Sequence, residues 1–151
     1  MGTAMVDFSP ENARFPGLPN AAREELERIY REVDAEIAST GVRCEASGVC
    51  CDFENVPHHL YASTVEISHV KEVHPESFAP GSKLCPFWID RKCMLRERRP
   101  LGCRTYFCDE RYRDVLEDIY EKYYRRVRAI AEQHDLEWSY VSFVDALRNT
   151  L

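Results

Sequence analysis

Residues 109–134 read DERYRDVLEDIYEKYYRRVRAIAEQH. Tyr112, Val115, Leu116, Ile119, Tyr123, Val127, Ile130 and Ala131 recur there at spacings of three and four, which makes one face of a helix apolar. Asp109 and Glu110 stand at the predicted start, where negative charge suits the helix dipole, and Arg125, Arg126 and Arg128 lie towards the other end. The same spacing recurs upstream in Ala22, Leu26, Ile29, Tyr30, Val33 and Ile37. That helix is expected to begin after Asn20 as N-cap and to end near Thr40-Gly41, where glycine suits the C-terminal position. Two such helices set the expected fold class: mainly α, a small helical domain around an irregular cysteine-rich metal-binding centre, with one short β-hairpin.

Shorter elements fill the rest. Ser63 to Val73 reads as a helix capped by Ser63 or Thr64, with Glu66 following and Val65, Ile67 and Val70 partly apolar, and His74-Pro75 stops it. Leu84 to Arg99 is expected to form the hairpin, with Phe87, Trp88 and Ile89 going out, a turn near Asp90-Arg91, and Met94 and Leu95 returning. Pro100 and Gly102 open a predicted loop. A last helix is predicted over roughly Tyr140 to Arg148, packing Tyr140, Phe143, Val144 and Leu147. Residues 1–19 carry Ser9-Pro10, Phe15-Pro16-Gly17 and Leu18-Pro19 and are expected to form an extended arm, tacked down by Phe8, Phe15 and Leu18. Residues 20–151 then form a single cysteine-cluster domain.

A chain of 151 residues can bury a core without cross-links. Its net charge of -6 argues against a general nucleic-acid binder, because phosphate contacts need a basic surface. No apolar run approaches a membrane span, so no membrane partner is expected. The start, Met1 to Asp7, has neither a basic region nor an apolar run, so no export signal is expected and the reading is cytoplasmic.

Against that ordinary background, all seven cysteines fall between Cys44 and Cys108. They are Cys44, Cys50, Cys51, Cys85, Cys93, Cys103 and Cys108. A reducing compartment and an odd count disfavour a disulfide framework and favour metal. The interval from Cys85 to Cys108 is also cationic: Arg91, Lys92, Arg96, Arg98, Arg99 and Arg104 stand against Asp90 and Glu97. Such charge offsets the negative charge of a multi-thiolate centre, although the same run also reads as a solvated face or an RNA contact. Cys108, at the start of the long predicted helix, gains further from the helix N-terminus. Neighbouring side chains on extended backbone point opposite ways, so Cys50 and Cys51 divide between ligation and packing, or both ligate a polynuclear centre. Structural zinc usually announces itself by two C-x-x-C knuckles, which this chain lacks. A four-iron cluster accepts dispersed thiolates. Spacing therefore tilts slightly to an iron-sulfur cluster over zinc. His58-His59, His69 and His74 are weaker ligand candidates, and the tyrosines Tyr112, Tyr120, Tyr123 and Tyr124 read as packing. No phosphate-binding glycine loop, nucleophile elbow or H-E-x-x-H motif is present.

The segments Cys44-Glu45-Ala46-Ser47-Gly48-Val49-Cys50-Cys51, Cys85, Cys93 and Arg99-Pro100-Leu101-Gly102-Cys103-Arg104 resemble, in order and spacing, the CxxCxxCC family of zinc- or iron-chelating domains, the YkgJ-type cysteine-cluster proteins. The likeness covers Cys44 to Cys108 and implies a thiolate-ligated metal centre. One departure stands out: Ser47 occupies the place of the second motif cysteine, and a serine oxygen is a poor ligand beside thiolate sulfur. Cys108 is the candidate for the missing sulfur. Cysteine-cluster domains of this kind are also similar to the one in flagellin lysine methylases, which gives the alternative of an enzyme of methyl-transfer or redox type. A further alternative is a zinc-supported nucleic-acid or protein adaptor using the Arg91 to Arg104 face; an unidentified protein partner fits either. Cys108→Ala is expected to lower the metal bound per chain, read by elemental analysis after anaerobic purification. Unchanged metal content removes Cys108 from the ligand set.

Overall fold

Two 21-residue helices, α1 (Asn20–Thr40) and α4 (Arg113–Gln133), pack along their predicted apolar faces. The computed structural model describes residues 15–42, 60–75, 78–79, 85–90, 92–107 and 109–148. Between the long helices come β1 (Tyr61–Ser63), α2 (Thr64–Lys71), β2 (Trp88–Ile89), β3 (Lys92–Cys93) and α3 (Leu101–Thr105); β4 (Tyr140–Ser142) and α5 (Phe143–Leu147) follow α4. The architecture is mainly α, as the spacing predicts. No helix among the described residues is long and apolar enough to cross a membrane.

The α1–α4 seam is the first apolar cluster. Ala22, Leu26, Ile29, Tyr30, Val33 and Ile37 meet Leu116, Ile119, Tyr123, Val127, Ile130 and Ala131, with Leu18, Val42, Val65 and Leu101 closing the ends. Val115 departs from the expected face and is 40% exposed. Leu116, about 100° further round the helix, takes the core position instead. Arg126 pairs with Glu32 at 2.8 Å and Lys122 with Glu36 at 2.7 Å across the rim, exposed contacts that solvent screens and that add little to stability.

Helix ends differ from expectation in two places. Pro19, not Asn20, occupies the cap position of α1; its carbonyl accepts from the Arg23 N–H at 3.0 Å. Asn20 is the first helical residue, and its Oδ1 accepts from Arg23 Nη1 at 2.7 Å. At α4, Asp109 caps a separate 3-10 turn, Glu110–Tyr112, by accepting from the Arg111 N–H, so the α-helix begins four residues later than expected. The end of α1 is as predicted: Gly41 has φ 85°, and its N–H donates to the Ala38 carbonyl.

The second cluster joins the short elements. Phe15, Ala62, Ile67, Val70, Cys85, Phe87, Leu95, Phe143, Val144, Ala146 and Leu147 form it. Phe15 and Leu18 tack the arm down as expected; Phe8 lies outside the described residues. Residues 140–142, expected as the first turn of the last helix, form β4 instead and pair antiparallel with β1, Ala62 opposite Val141. The Tyr61 and Tyr140 rings stack at 5.6 Å, and this cross-strand contact overrides the local helical spacing. Ser142 then caps α5 by accepting from the Asp145 N–H. Helix α2 starts at a capping box in which Ser63 and Glu66 satisfy each other. Its eight residues are all buried, far more than its partly apolar sequence suggests.

The expected hairpin is present but small: β2 and β3 pair over two residues each, Trp88 opposite Cys93 and Ile89 opposite Lys92, with Asp90 at φ 51° in the turn. After Leu95 the chain enters a 3-10 turn, Arg96–Arg98, rather than continuing as strand. The predicted loop after Pro100 is the helix α3, with Pro100 at its cap. Leu26→Ala at the α1–α4 seam is expected to cost about 2–5 kcal/mol, and Val115→Ala less than about 0.5 kcal/mol, both read from urea unfolding.

Candidate metal centre

Of the seven predicted ligands, Cys85, Cys93 and Cys103 are among the described residues, and none of the three is in a disulfide. Cys44, Cys50, Cys51 and Cys108, together with Ser47, His58, His59 and Arg91, lie outside them.

Cys85 and Cys93 share one small scaffold. The Trp88 N–H donates to the Cys85 carbonyl at 3.0 Å, closing a tight turn over Cys85-Pro86-Phe87-Trp88. Strand pairing sets Trp88 opposite Cys93, and the Met94 N–H donates to the Phe87 carbonyl at 2.9 Å. Cys85 is 4% exposed and belongs to the second cluster; Cys93 is half-buried and packs against it. Thiols eight positions apart in sequence thus both stand with one apolar cluster. Reduced sulfur of this kind is a donor suited to zinc or to iron-sulfur clusters.

Cys103 sits on a different element. Along Arg99-Pro100-Leu101-Gly102-Cys103-Arg104, nearly every residue is fixed. The Pro100 carbonyl accepts from the Cys103 and Arg104 N–H groups at 3.0 and 3.2 Å. Leu101 is buried in the first cluster. Gly102 is pressed against β1: an added Cβ would lie 2.5 Å from Leu60 Cδ1 and 3.4 Å from the Tyr61 carbonyl oxygen. Arg104, 4% exposed, donates from Nε to the Arg99 carbonyl at 2.8 Å and from Nη1 to Asp34 at 2.7 Å, and from Nη2 to the Glu97 carbonyl. Its guanidinium lies 4.0 Å from the centre of the Tyr30 ring. Cys103 itself is half-buried and belongs to neither apolar cluster.

Two polar networks position this region. In the first, Glu66, 3% exposed, accepts from the Leu101 N–H at 2.6 Å and the Tyr30 hydroxyl at 2.8 Å on one oxygen. Its other oxygen accepts from the Ser63 hydroxyl at 3.0 Å. In the second, Glu72 accepts from Arg23 Nε and Nη2, both at 2.8 Å, from the Leu18 N–H at 2.9 Å and from Arg98 Nη1 at 3.4 Å. Arg98 also donates to the His69 carbonyl. The buried His69 ring meets Glu27 through Nε2 at 3.0 Å, while its Nδ1 has no hydrogen-bond partner among the described residues. His74 packs its ring against Phe87 at 4.7 Å.

The cationic run is therefore not one solvated face: Arg98 and Arg104 turn inward to structural partners, and Arg99 Nε donates back to the Arg96 carbonyl. Sequence reasoning missed Glu72 altogether, and for Glu66, Tyr30 and Arg104 it missed the polar bonds they make in the interior. The capping box was a signal for Glu66, but its bond to Leu101 spans 35 positions and leaves no local trace. Among the described residues, no three His, Cys, Asp or Glu side chains come together as a metal site. Cys85 and Cys93 both stand with the second apolar cluster, and the described residues do not bring Cys103 into a shared ligand group with them.

Burial acts to raise the Glu72 pKa, but Arg23, the Leu18 N–H and Arg98 outweigh it and hold it at about 2. A folded pKa below the usual 4.5 gives stability that is present above pH 4.5 and lost as pH falls towards 2. Burial lowers the pKa of His69 against the pull of Glu27, so its contribution also declines as pH falls below 6.5. Glu72→Gln is expected to flatten the acid limb of the stability profile between pH 5 and pH 2, by about 2 kcal/mol after allowance for solvent screening. Urea titrations across pH read it; an unchanged limb removes Glu72 as its source.

Comparison of the chain with protein-family models, with curated proteins and with solved structures returns no match.

Proposed function

We propose that this chain is a metal-binding cysteine-cluster protein of the CxxCxxCC kind, acting in a reducing cytoplasm. Cys44, Cys50, Cys51, Cys85, Cys93, Cys103 and Cys108 are its candidate ligands, and an iron-sulfur cluster is favoured slightly over zinc. The observation that carries the reading is that Cys85 and Cys93, neither of them in a disulfide, stand with one apolar cluster, Cys85 opening the tight turn before β2 and Cys93 on β3. The confinement of every cysteine to the interval 44–108 supports it, because sulfur used only for packing would have no reason to avoid both long helices. When bound, such a centre would supply structural cross-linking, electron transfer or redox sensing.

The chain's own part is to hold its sulfurs rigidly and shield them from water. The second cluster surrounds Cys85 and borders Cys93, and helix α3 carries the half-buried Cys103. The inward turn of Arg98 and Arg104 weighs against an adaptor that uses this run to grip phosphates.

Anaerobic purification followed by elemental analysis, acid-labile sulfide assay and visible absorbance is the test. Iron with matching sulfide, or zinc, is expected at a fixed ratio to chain, reduced in Cys85→Ala and in Cys93→Ala. A colourless, metal-free protein with seven titratable thiols would overturn the reading.

A further inference from the structure

Helix α3 has five residues, too few to hold their own shape in water. Its geometry comes from outside. At its start, the Leu101 N–H is one of the donors that a helix leaves without an internal partner, and Glu66 of α2 accepts from it at 2.6 Å. The same Glu66 oxygen takes the Tyr30 hydroxyl of α1 at 2.8 Å. At its end, Arg104 lies over the Tyr30 ring and is tied to Asp34 of α1. Tyr30 therefore touches both ends of the arrangement, through its hydroxyl and through its face. Gly102 packs closely beside Leu60 and Tyr61, where a side chain in its place would press on Leu60. Cys103 lies between Leu101 and Arg104, where any displacement of either anchor moves its sulfur.

We infer that Tyr30 and Glu66, with Arg104, form a positioning device for Cys103: they fix α3 so that this thiol is held in one orientation while the metal-bearing sulfurs assemble. The device takes its purpose from the metal-centre reading, but its geometry stands apart from it. Tyr30 and Glu66 are positioning residues, and neither is a ligand. Burial, reinforced by Glu66 against the opposing charge of Arg104, holds the proton on the Tyr30 phenol well above its usual range. Tyr30 thus remains a donor to Glu66 across the physiological pH range.

The test compares the full-length wild type with Glu66→Gln and Tyr30→Phe. Chelator-stripped protein is treated with iodoacetamide, and alkylation of each cysteine is timed by peptide mass spectrometry. In both variants Cys103 is expected to react about tenfold faster, the effect of losing one buried hydrogen bond, while Cys85 and Cys93 keep their wild-type rates. A general loss of stability would speed all three together, and that outcome, or an unchanged Cys103 rate, overturns the inference. If Glu66→Gln fails to fold, Tyr30→Phe decides, since it removes a single hydroxyl and keeps the ring beneath Arg104. In metal-loaded protein, the affinity of both variants is expected to fall about tenfold, the usual effect of removing a partner that orients a ligand. Wild-type affinity in both variants also overturns the inference. A wild type that binds no metal instead refutes the metal-centre reading and leaves the alkylation rates to decide this one.

Discussion

The Glu66 carboxyl group is the point at which three helices are tied together. It belongs to α2, accepts from the α1 side chain of Tyr30 and from the first N–H of α3, and is closed on its other oxygen by Ser63. A buried carboxyl group is costly unless its oxygens are filled, and leaving one of these donors or acceptors unmatched costs about 1–3 kcal/mol. The three partners make the arrangement nearly all-or-none. Moving α3 away from α2 would strand the Leu101 N–H, and moving α1 would strand the Tyr30 hydroxyl. Direction, which apolar contact cannot supply, enters the fold here.

Around that knot the apolar surface divides in two. The long helices hold one cluster, and α2, α5 and the β2–β3 hairpin hold the other. Helix α2 lies at the boundary: Val65 belongs to the first cluster, and Ile67 and Val70 to the second. This explains why all eight of its residues are buried despite a sequence with weak amphipathic pattern. The arrangement also separates the described cysteines. Cys85 and Cys93 stand with the second cluster, while Cys103 rides on an element locked to the first by Leu101 and Arg104. A centre that recruited both groups would join the two halves of the domain through sulfur as well as through Glu66.

The inward use of cations follows the same economy. Arg98 and Arg104 each hold backbone carbonyls as well as carboxylates, which a planar guanidinium can do and an ammonium cannot do with the same geometry. Charge that reads as surface in the sequence is spent on fixing the irregular chain between β3 and α3. That stretch has few backbone bonds of its own, so side-chain donors must fill the gap.

The sequence by itself determined the two long helices, the glycine that ends the first, a helix starting at Ser63 or Thr64 and the place of the small hairpin. Each is written in spacing or in residues adjacent along the chain, where local backbone sterics and amphipathic period act directly. The confinement of sulfur to the middle of the chain was equally visible. Only the tertiary structure decided that residues 140–142 pair as a strand with residues 61–63, that α3 is a helix, and that Arg104 and Glu66 point inward to hold it. These depend on partners 35 to 81 positions away, and pairing over such separations is fixed by what the folded surfaces offer, not by local propensity.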